Sequence, residues 1–296
     1  MSGTRAAGWE WTDDRGAVAV AARPPRRVLA YVRAGAALLD LGVTPAAVYG
    51  SGHDGALLDP AKAGGLAAAG VPYLGAGRDL DEERLRELEV ELVVDVTYDG
   101  KSPYALDEAL AGRLGVPLVT LAVGNELTLP AILDRFADLA ATLDAPPVPG
   151  AAAGPAPDGA GLPGAEAALR TAAAGSGARV LALSGAGPDQ VHLARPQAWP
   201  ELVRLAGLGV RLLDPGPGPG TSWLTTDWRW AAELGPDLVL FDHRAHAVPP
   251  QELPGVLPPR VRLVPWSPEL PPSPAACARF FGELAEALGR DPEDRP

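Results

Sequence analysis

The sequence predicts an α/β fold: two α/β lobes with mainly parallel sheets, joined by one long spine helix, with a ligand cleft between the lobes. Three observations predict it. Short apolar runs alternate with helical patterns on both sides of the midpoint, as parallel βαβ units require. Between them, Leu129, Ile132, Leu133, Phe136, Leu139, Ala140 and Leu143 recur at helical spacing and form one apolar stripe. After that stripe, residues 144–164 are almost wholly Pro, Gly and Ala, a composition that builds no core. The expected organisation is a first lobe over 1–127, a spine helix over 128–143, a flexible linker over 144–164 and a second lobe over 165–296.

Taken in order, Trp9-Glu10-Trp11-Thr12 and Ala17-Val18-Ala19-Val20 read as hairpin arms, with Asp14-Arg15-Gly16 as the turn. Val28-Leu29-Ala30-Tyr31 is a first buried strand, followed by a helix over 34–41 that ends at Gly42, a usual C-terminal cap. Strands are predicted over 46–49, 71–74, 92–96 and 117–121, with helices over 81–89 and 104–114. Thr128 caps the spine helix, and Pro130 is tolerated in its first turn, where N–H groups lack partners anyway. Beyond the linker come a short helix over 165–173, a strand over 179–183, a helix over 200–208, strands over 237–241 and 261–264, and a closing helix over 274–288.

Size and charge bound the function. A chain of 296 residues supplies two modest domains, and 47% hydrophobic with 21% charged residues is an ordinary globular composition. A net charge of −12 argues against non-specific nucleic-acid binding, which needs cationic surface to displace phosphate counterions, and fits a small-molecule partner. The one cysteine, Cys277, forms no internal disulfide and no thiolate metal cluster; it reads as a small buried residue on the last helix. Residues 1–15 hold no apolar core flanked by basic residues, and no apolar run reaches membrane-spanning length. The expectation is a cytoplasmic monomer without membrane insertion, extracytoplasmic if a leader has been removed.

Several motifs resemble a known family. Trp11-Thr12-Asp13-Asp14-Arg15-Gly16, then Arg23-Pro24 and Arg27-Val28, then Leu39-Asp40-Leu41-Gly42-Val43, resemble the opening of substrate-binding proteins of ABC importers for siderophores, haem and cobalamin. Pro236-Asp237-Leu238-Val239-Leu240 and the single long helix fit the same pattern, so the resemblance spans nearly the whole chain. It implies two lobes on a helical backbone, ligand binding, and an ABC permease as partner if the protein is exported. The sequence departs from the family in having no leader with a lipidated Cys, and in the insertion at 144–164.

In open parallel sheets, ligands bind beyond the carboxyl ends of the strands. In the first lobe that rule selects Arg33, Ser51, His53, Asp54, Tyr98, Lys101, Tyr104 and Asn125, with Glu126 beside them. In the second it selects Arg195, Trp223, Trp228, Trp230, His243, Arg244 and Trp266, with Trp199 and His246 near them. Trp223, Trp228 and Trp230 crowd a Gly/Pro-flanked segment and suggest an aromatic wall. Arg33 and Arg244 follow buried strands, and fixed guanidinium groups suit an anionic or carbonyl-rich ligand; the alternative for each is an ion pair with Asp54 or Asp242. The reading is a small organic ligand, a ferric siderophore or similar chelate, with Arg33, Tyr98 and Arg244 on its oxygens and Trp223 and Trp228 on its apolar parts. No cofactor is expected, iron entering only as part of the chelate. Two other readings stand beside it. One is direct capture of a divalent metal by His53, Asp54, His243 and His246. The other is a biosynthetic enzyme using His53, Asp54 and Tyr98 for acid–base work, although no nucleophile elbow, phosphate loop or dinucleotide fingerprint is present.

Overall fold

The structure is a computed structural model that describes residues 8–144 and 161–290. It divides into two units: Met1–Gly154 with Pro271–Ser273, and Pro155–Leu270 with Pro274–Pro296. The boundary near 154 falls within residues 145–160, outside the described residues.

The first unit opens with an antiparallel hairpin, β1 (Trp9–Thr12) and β2 (Val18–Ala21), turned at Gly16 with φ 81°. Next come β3 (Val28–Tyr31), α1 (Val32–Asp40), β4 (Ala47–Gly50), α2 (Pro60–Ala63), β5 (Tyr73–Ala76), α3 (Glu82–Glu87), β6 (Leu92–Thr97), α4 (Glu108–Leu114), β7 (Leu118–Ala122) and α5 (Leu129–Thr142). The five strands β3 to β7 pair in parallel in the order β5-β4-β3-β6-β7. Their apolar runs are buried on both faces, which is why β3 and β6 read as unbroken hydrophobic strings. Because the order reverses between β3 and β6, their carboxyl ends flank a topological switch point.

Side chains at helix starts set the element boundaries. Asp81 accepts from the backbone N–H groups of Glu83 and Arg84, Asp107 from Ala109, and Thr128 from Ala131. The caps explain why α4 begins at Glu108 and leaves Tyr104, expected at a helix start, on a loop. The Asp13-Asp14-Arg15-Gly16 motif fastens the hairpin to the sheet. Asp13 is 3% exposed and accepts from Arg15, Ala17 N and Thr120 N of β7; Asp14 accepts from Ala122 N and from Arg135 of α5. The Arg135 guanidinium also lies 4.7 Å over the Trp11 ring.

The expected long helix is present as α5, with Leu129, Ile132, Leu133, Phe136, Leu139 and Ala140 buried along one stripe. It packs against α1 and β7. At 14 residues it is not the longest helix, since α6 (Gly161–Ser176) and α9 (Pro274–Gly289) have 16 each. The linker expected over 144–164 lies largely outside the described residues, and its last four positions are the first turn of α6. Gly161-Leu162-Pro163-Gly164 can start a helix because proline is compatible with a first turn.

The second unit runs α6, β8 (Arg179–Gly185), β9 (Val191–Ala194), α7 (Pro200–Gly207), β10 (Arg211–Leu212), β11 (Trp223–Thr226), α8 (Trp228–Glu233), β12 (Leu238–Asp242), β13 (Arg262–Trp266) and α9. Its sheet has the order β11-β9-β8-β12-β13, with β10 pairing the start of β8. β8, β12 and β13 are parallel, while β9 runs antiparallel to both of its neighbours. Helices α6 and α9 pack together, burying Leu169 and Ala173 of one and Phe281 and Leu284 of the other. Among the described residues no helix is long and apolar enough to cross a membrane.

Candidate ligand-binding site

In the first unit, the switch point gathers four side chains. Arg33 sits in the first turn of α1, directly beyond β3, and is 5% exposed. A cation at a helix N-terminus works against the helix dipole, and α1 has no acidic residue in its first turn to offset it. Arg33 Nη1 donates to the Tyr98 hydroxyl at 2.9 Å, and the guanidinium lies 5.8 Å from the Tyr98 ring centroid. Tyr98 stands beyond β6 and meets Tyr104 edge-on at 4.8 Å; Tyr104 meets the buried Tyr31 edge-on at 5.6 Å. Tyr98 and Tyr104 remain 36% and 37% exposed, so the cluster offers hydroxyls and ring surface to solvent above a buried floor.

The loop between β6 and α4 is held from both sides. Asp99 accepts from the backbone N–H groups of Ser102 and Lys101 and from the Thr97 hydroxyl, and these bonds hold its pKa down to about 2. Beneath it, the wholly buried Asp95 accepts from Val96 N at 2.7 Å and Ala105 N at 3.1 Å. Burial raises the Asp95 pKa to about 6, against the pull of these N–H groups and of the Tyr49 hydroxyl. Burial, and then the neighbouring Asp95, push Tyr49 well above its ordinary value of 10. Asp95 was not among the residues selected from sequence, although a single carboxylate in the string Leu92-Val93-Val94-Asp95-Val96 was a usable signal.

The loop after β4 forms a second group. Asp54 Oδ2 accepts from Ser51 N at 2.7 Å and Ser51 Oγ at 2.9 Å, while Asp54 Oδ1 pairs with Lys62 Nζ at 2.7 Å. The partner of Asp54 is therefore Lys62, with Arg33 turned to Tyr98. His53, Lys101 and Asn125 are exposed on their loops.

In the second unit, Trp199, Trp223 and Trp266 form one cluster. Their ring centroids lie 5.0 Å (Trp199–Trp223), 5.9 Å (Trp199–Trp266) and 5.9 Å (Trp223–Trp266) apart. β11 and β13 are the two ends of the strand path, about 19 Å apart if the sheet were flat. The contact between their tryptophans therefore requires a strongly curled sheet. His192 adds its ring edge to Trp223 at 6.4 Å and its Nδ1 to Thr225 at 2.9 Å; burial lowers its pKa, partly countered by Asp242.

Of the other residues selected from sequence, several make contacts that hold the fold. Trp228 is 5% exposed, donates to Gly187 O at 2.8 Å and stacks on Phe241, so it is core and no wall of a cleft. Its segment is not a loop but the start of α8, capped by Asp227. Trp230 is 40% exposed, with its Nε1 on Pro215 O. Arg195 spends its guanidinium on the carbonyls of Gly216, Gly218 and Gly220 and so ties down that Gly/Pro loop. Arg244 is held by Asp242 and Glu269; burial works against its charge, yet these two carboxylates raise its pKa. His243 Nδ1 lies 2.8 Å from Trp266 O, and His246 is exposed. Among the described residues, no three His, Cys, Asp or Glu side chains gather so as to hold a metal ion.

No protein-family model matches the chain, and no curated protein sequence does. Solved structures do match. DesE, a ferric-siderophore receptor protein from Streptomyces coelicolor, superposes with a TM-score of 0.80 at 27% identity, over 95% of this chain and 98% of DesE. The siderophore periplasmic binding protein from the fuscachelin gene cluster of Thermobifida fusca matches at 0.55 and 16% identity, over 90% of this chain and 96% of its own. A periplasmic heme binding protein from Pseudomonas aeruginosa matches at 0.58 and 19% identity, over 89% and 92%. The motifs at the start of the chain, the sheets of the two units and these superpositions agree: the chain has the fold of the class III substrate-binding proteins and is similar to DesE over nearly its full length.

Proposed function

We propose that the protein binds a ferric siderophore-type chelate, whose oxygens are met by Arg33 and Tyr98 at the switch point of the first unit. The observation that carries this reading is the placement of Arg33. A buried guanidinium stands at the electrostatically wrong end of a helix, presented by a hydrogen bond to a half-exposed tyrosine, at the position where doubly wound sheets hold ligands. The role given in the name of DesE, the neighbour at 27% identity, supports the same ligand class. In the second unit, taken by itself, the half-buried rings of Trp199 and Trp223 form an aromatic surface. A reading through an extracytoplasmic importer would add a permease partner; export and that partner are part of this proposal.

Replacing Arg33 with Ala tests the reading. A charge-assisted contact in a desolvated site contributes about 1.5–3 kcal/mol, so affinity for a gallium-loaded hydroxamate or catecholate chelate is expected to fall roughly 10- to 100-fold. Titration followed by tryptophan fluorescence measures it. Equal affinity in the variant would remove Arg33 from the site.

A further inference from the structure

Behind the exposed tyrosines lies a buried anchor. The loop joining β6 to α4 returns to its own strand twice: Tyr104 N donates to Val96 O at 2.9 Å, and the next residue, Ala105, donates to the Asp95 carboxylate at 3.1 Å. From the other side, Gly77 at the end of β5 backs directly onto the loop. A Cβ built on Gly77 would lie 2.1 Å from Ala105 O and 2.9 Å from Cδ2 of Tyr49, and neither neighbour is the far end of a flexible chain. The φ of Gly77 is not in the left-handed region, so this glycine is required for space and not for backbone conformation. One residue from this contact stands Tyr104, whose ring packs edge-on against both Tyr98 and Tyr31.

We infer that Gly77 and Asp95 are positioning residues that set the height and tilt of Tyr104, and through it the Tyr98 hydroxyl that Arg33 meets. Neither touches the ligand. Asp95 supplies an acceptor for the Ala105 N–H, where water is excluded and an unmatched donor would be costly. Gly77 supplies the clearance that lets this bond form. Any side chain at Gly77 pushes Ala105 outward, and Tyr104 must move with it. The inference rests on the chelate-binding reading for its consequence in affinity, and on the apo geometry alone for the placement itself.

The test uses the full-length chain with Gly77→Ala, Tyr104→Ala, the double variant and Asp95→Asn. In ligand-free protein, Gly77→Ala is expected to shift the ring-proton resonances of Tyr31, Tyr98 and Tyr104, while the tryptophan indole signals of the second unit stay in place. With a gallium-loaded chelate, Gly77→Ala and Tyr104→Ala are each expected to weaken binding about tenfold, comparable to one hydrogen bond. The double variant should be no weaker than the weaker single variant, because both remove the same placed ring. Asp95→Asn offers one acceptor oxygen where Val96 N and Ala105 N each need one, so it leaves a buried N–H unmatched and should weaken binding about tenfold as well. Unmoved tyrosine resonances in Gly77→Ala, or strictly additive losses in the double variant, would overturn the inference. If wild type binds no chelate while the tyrosine shifts occur, the positioning stands and the ligand reading falls.

Discussion

Lys62→Ala is expected to destabilise the protein by about 3–5 kcal/mol, the cost of stranding one member of a buried ion pair. The Lys62 side chain is 0% exposed and that of Asp54 is 3%, with Nζ and Oδ1 2.7 Å apart. Removing the ammonium leaves a carboxylate that cannot reach water and whose other oxygen is already committed to Ser51. Combining Lys62→Met with Asp54→Asn should recover much of the loss, because both charges of the pair are then gone and the amide oxygen can still accept from Ser51. Urea unfolding midpoints of the variants measure both effects. A loss below about 1 kcal/mol would mean that the pair behaves as a surface ion pair.

The second large effect concerns pH. The Asp95 pKa is raised from 3.8 to about 6 by burial, so the folded state holds a proton that the unfolded state releases. For a group raised on folding, the stabilisation is complete below the unfolded value and is lost as pH rises through the folded one. Stability should therefore decline across the window from pH 4 to 6 by about 3 kcal/mol from this residue, a rise of one pKa unit being worth 1.36 kcal/mol. Carboxylates lowered on folding, such as Glu91 and Asp237, drive the opposite trend at lower pH, so the comparison must be made with Asp95→Asn. Relative to the variant, wild type should gain stability as pH falls from 6 to 4. A constant difference would show that Asp95 titrates normally.

Much of the fold was legible because parallel strands announce themselves. Val28–Tyr31 and Leu92–Thr97 are buried on both faces and must be apolar throughout, and α5 must carry a stripe to pack on α1 and β7. The elements that escaped are short or lack such a constraint. β9 and β11 have four residues each, and β11 follows a Gly/Pro stretch that resembles a long loop. α8 begins at Asp227 with a tryptophan pair, a sequence that reads equally well as an exposed aromatic segment until the cap and the stacking of Trp228 on Phe241 are known.

The carboxyl-end rule selected Arg33, Tyr98 and Tyr104, which the structure brings together, because position relative to a strand end is encoded locally. It could not separate Arg33 from Arg244. Both follow buried strands; one donates to the Tyr98 hydroxyl, and the other is held by two buried carboxylates, one of them Glu269, 25 residues further along the chain. Such partnerships depend on three-dimensional packing, as does that of Lys62, a lysine whose complete burial has no sequence signal at all.

The central claim is that the chain binds an iron chelate, and equilibrium titration of the wild-type protein tests it most directly. Ferric and gallium-loaded forms of hydroxamate and catecholate chelates are added, with calorimetry beside tryptophan fluorescence because ferric complexes absorb light. The account predicts that the ferric and gallium forms of at least one chelate bind with similar dissociation constants below about 10 µM, or roughly 7 kcal/mol. Failure of every chelate to bind below about 1 mM, roughly 4 kcal/mol, would contradict it.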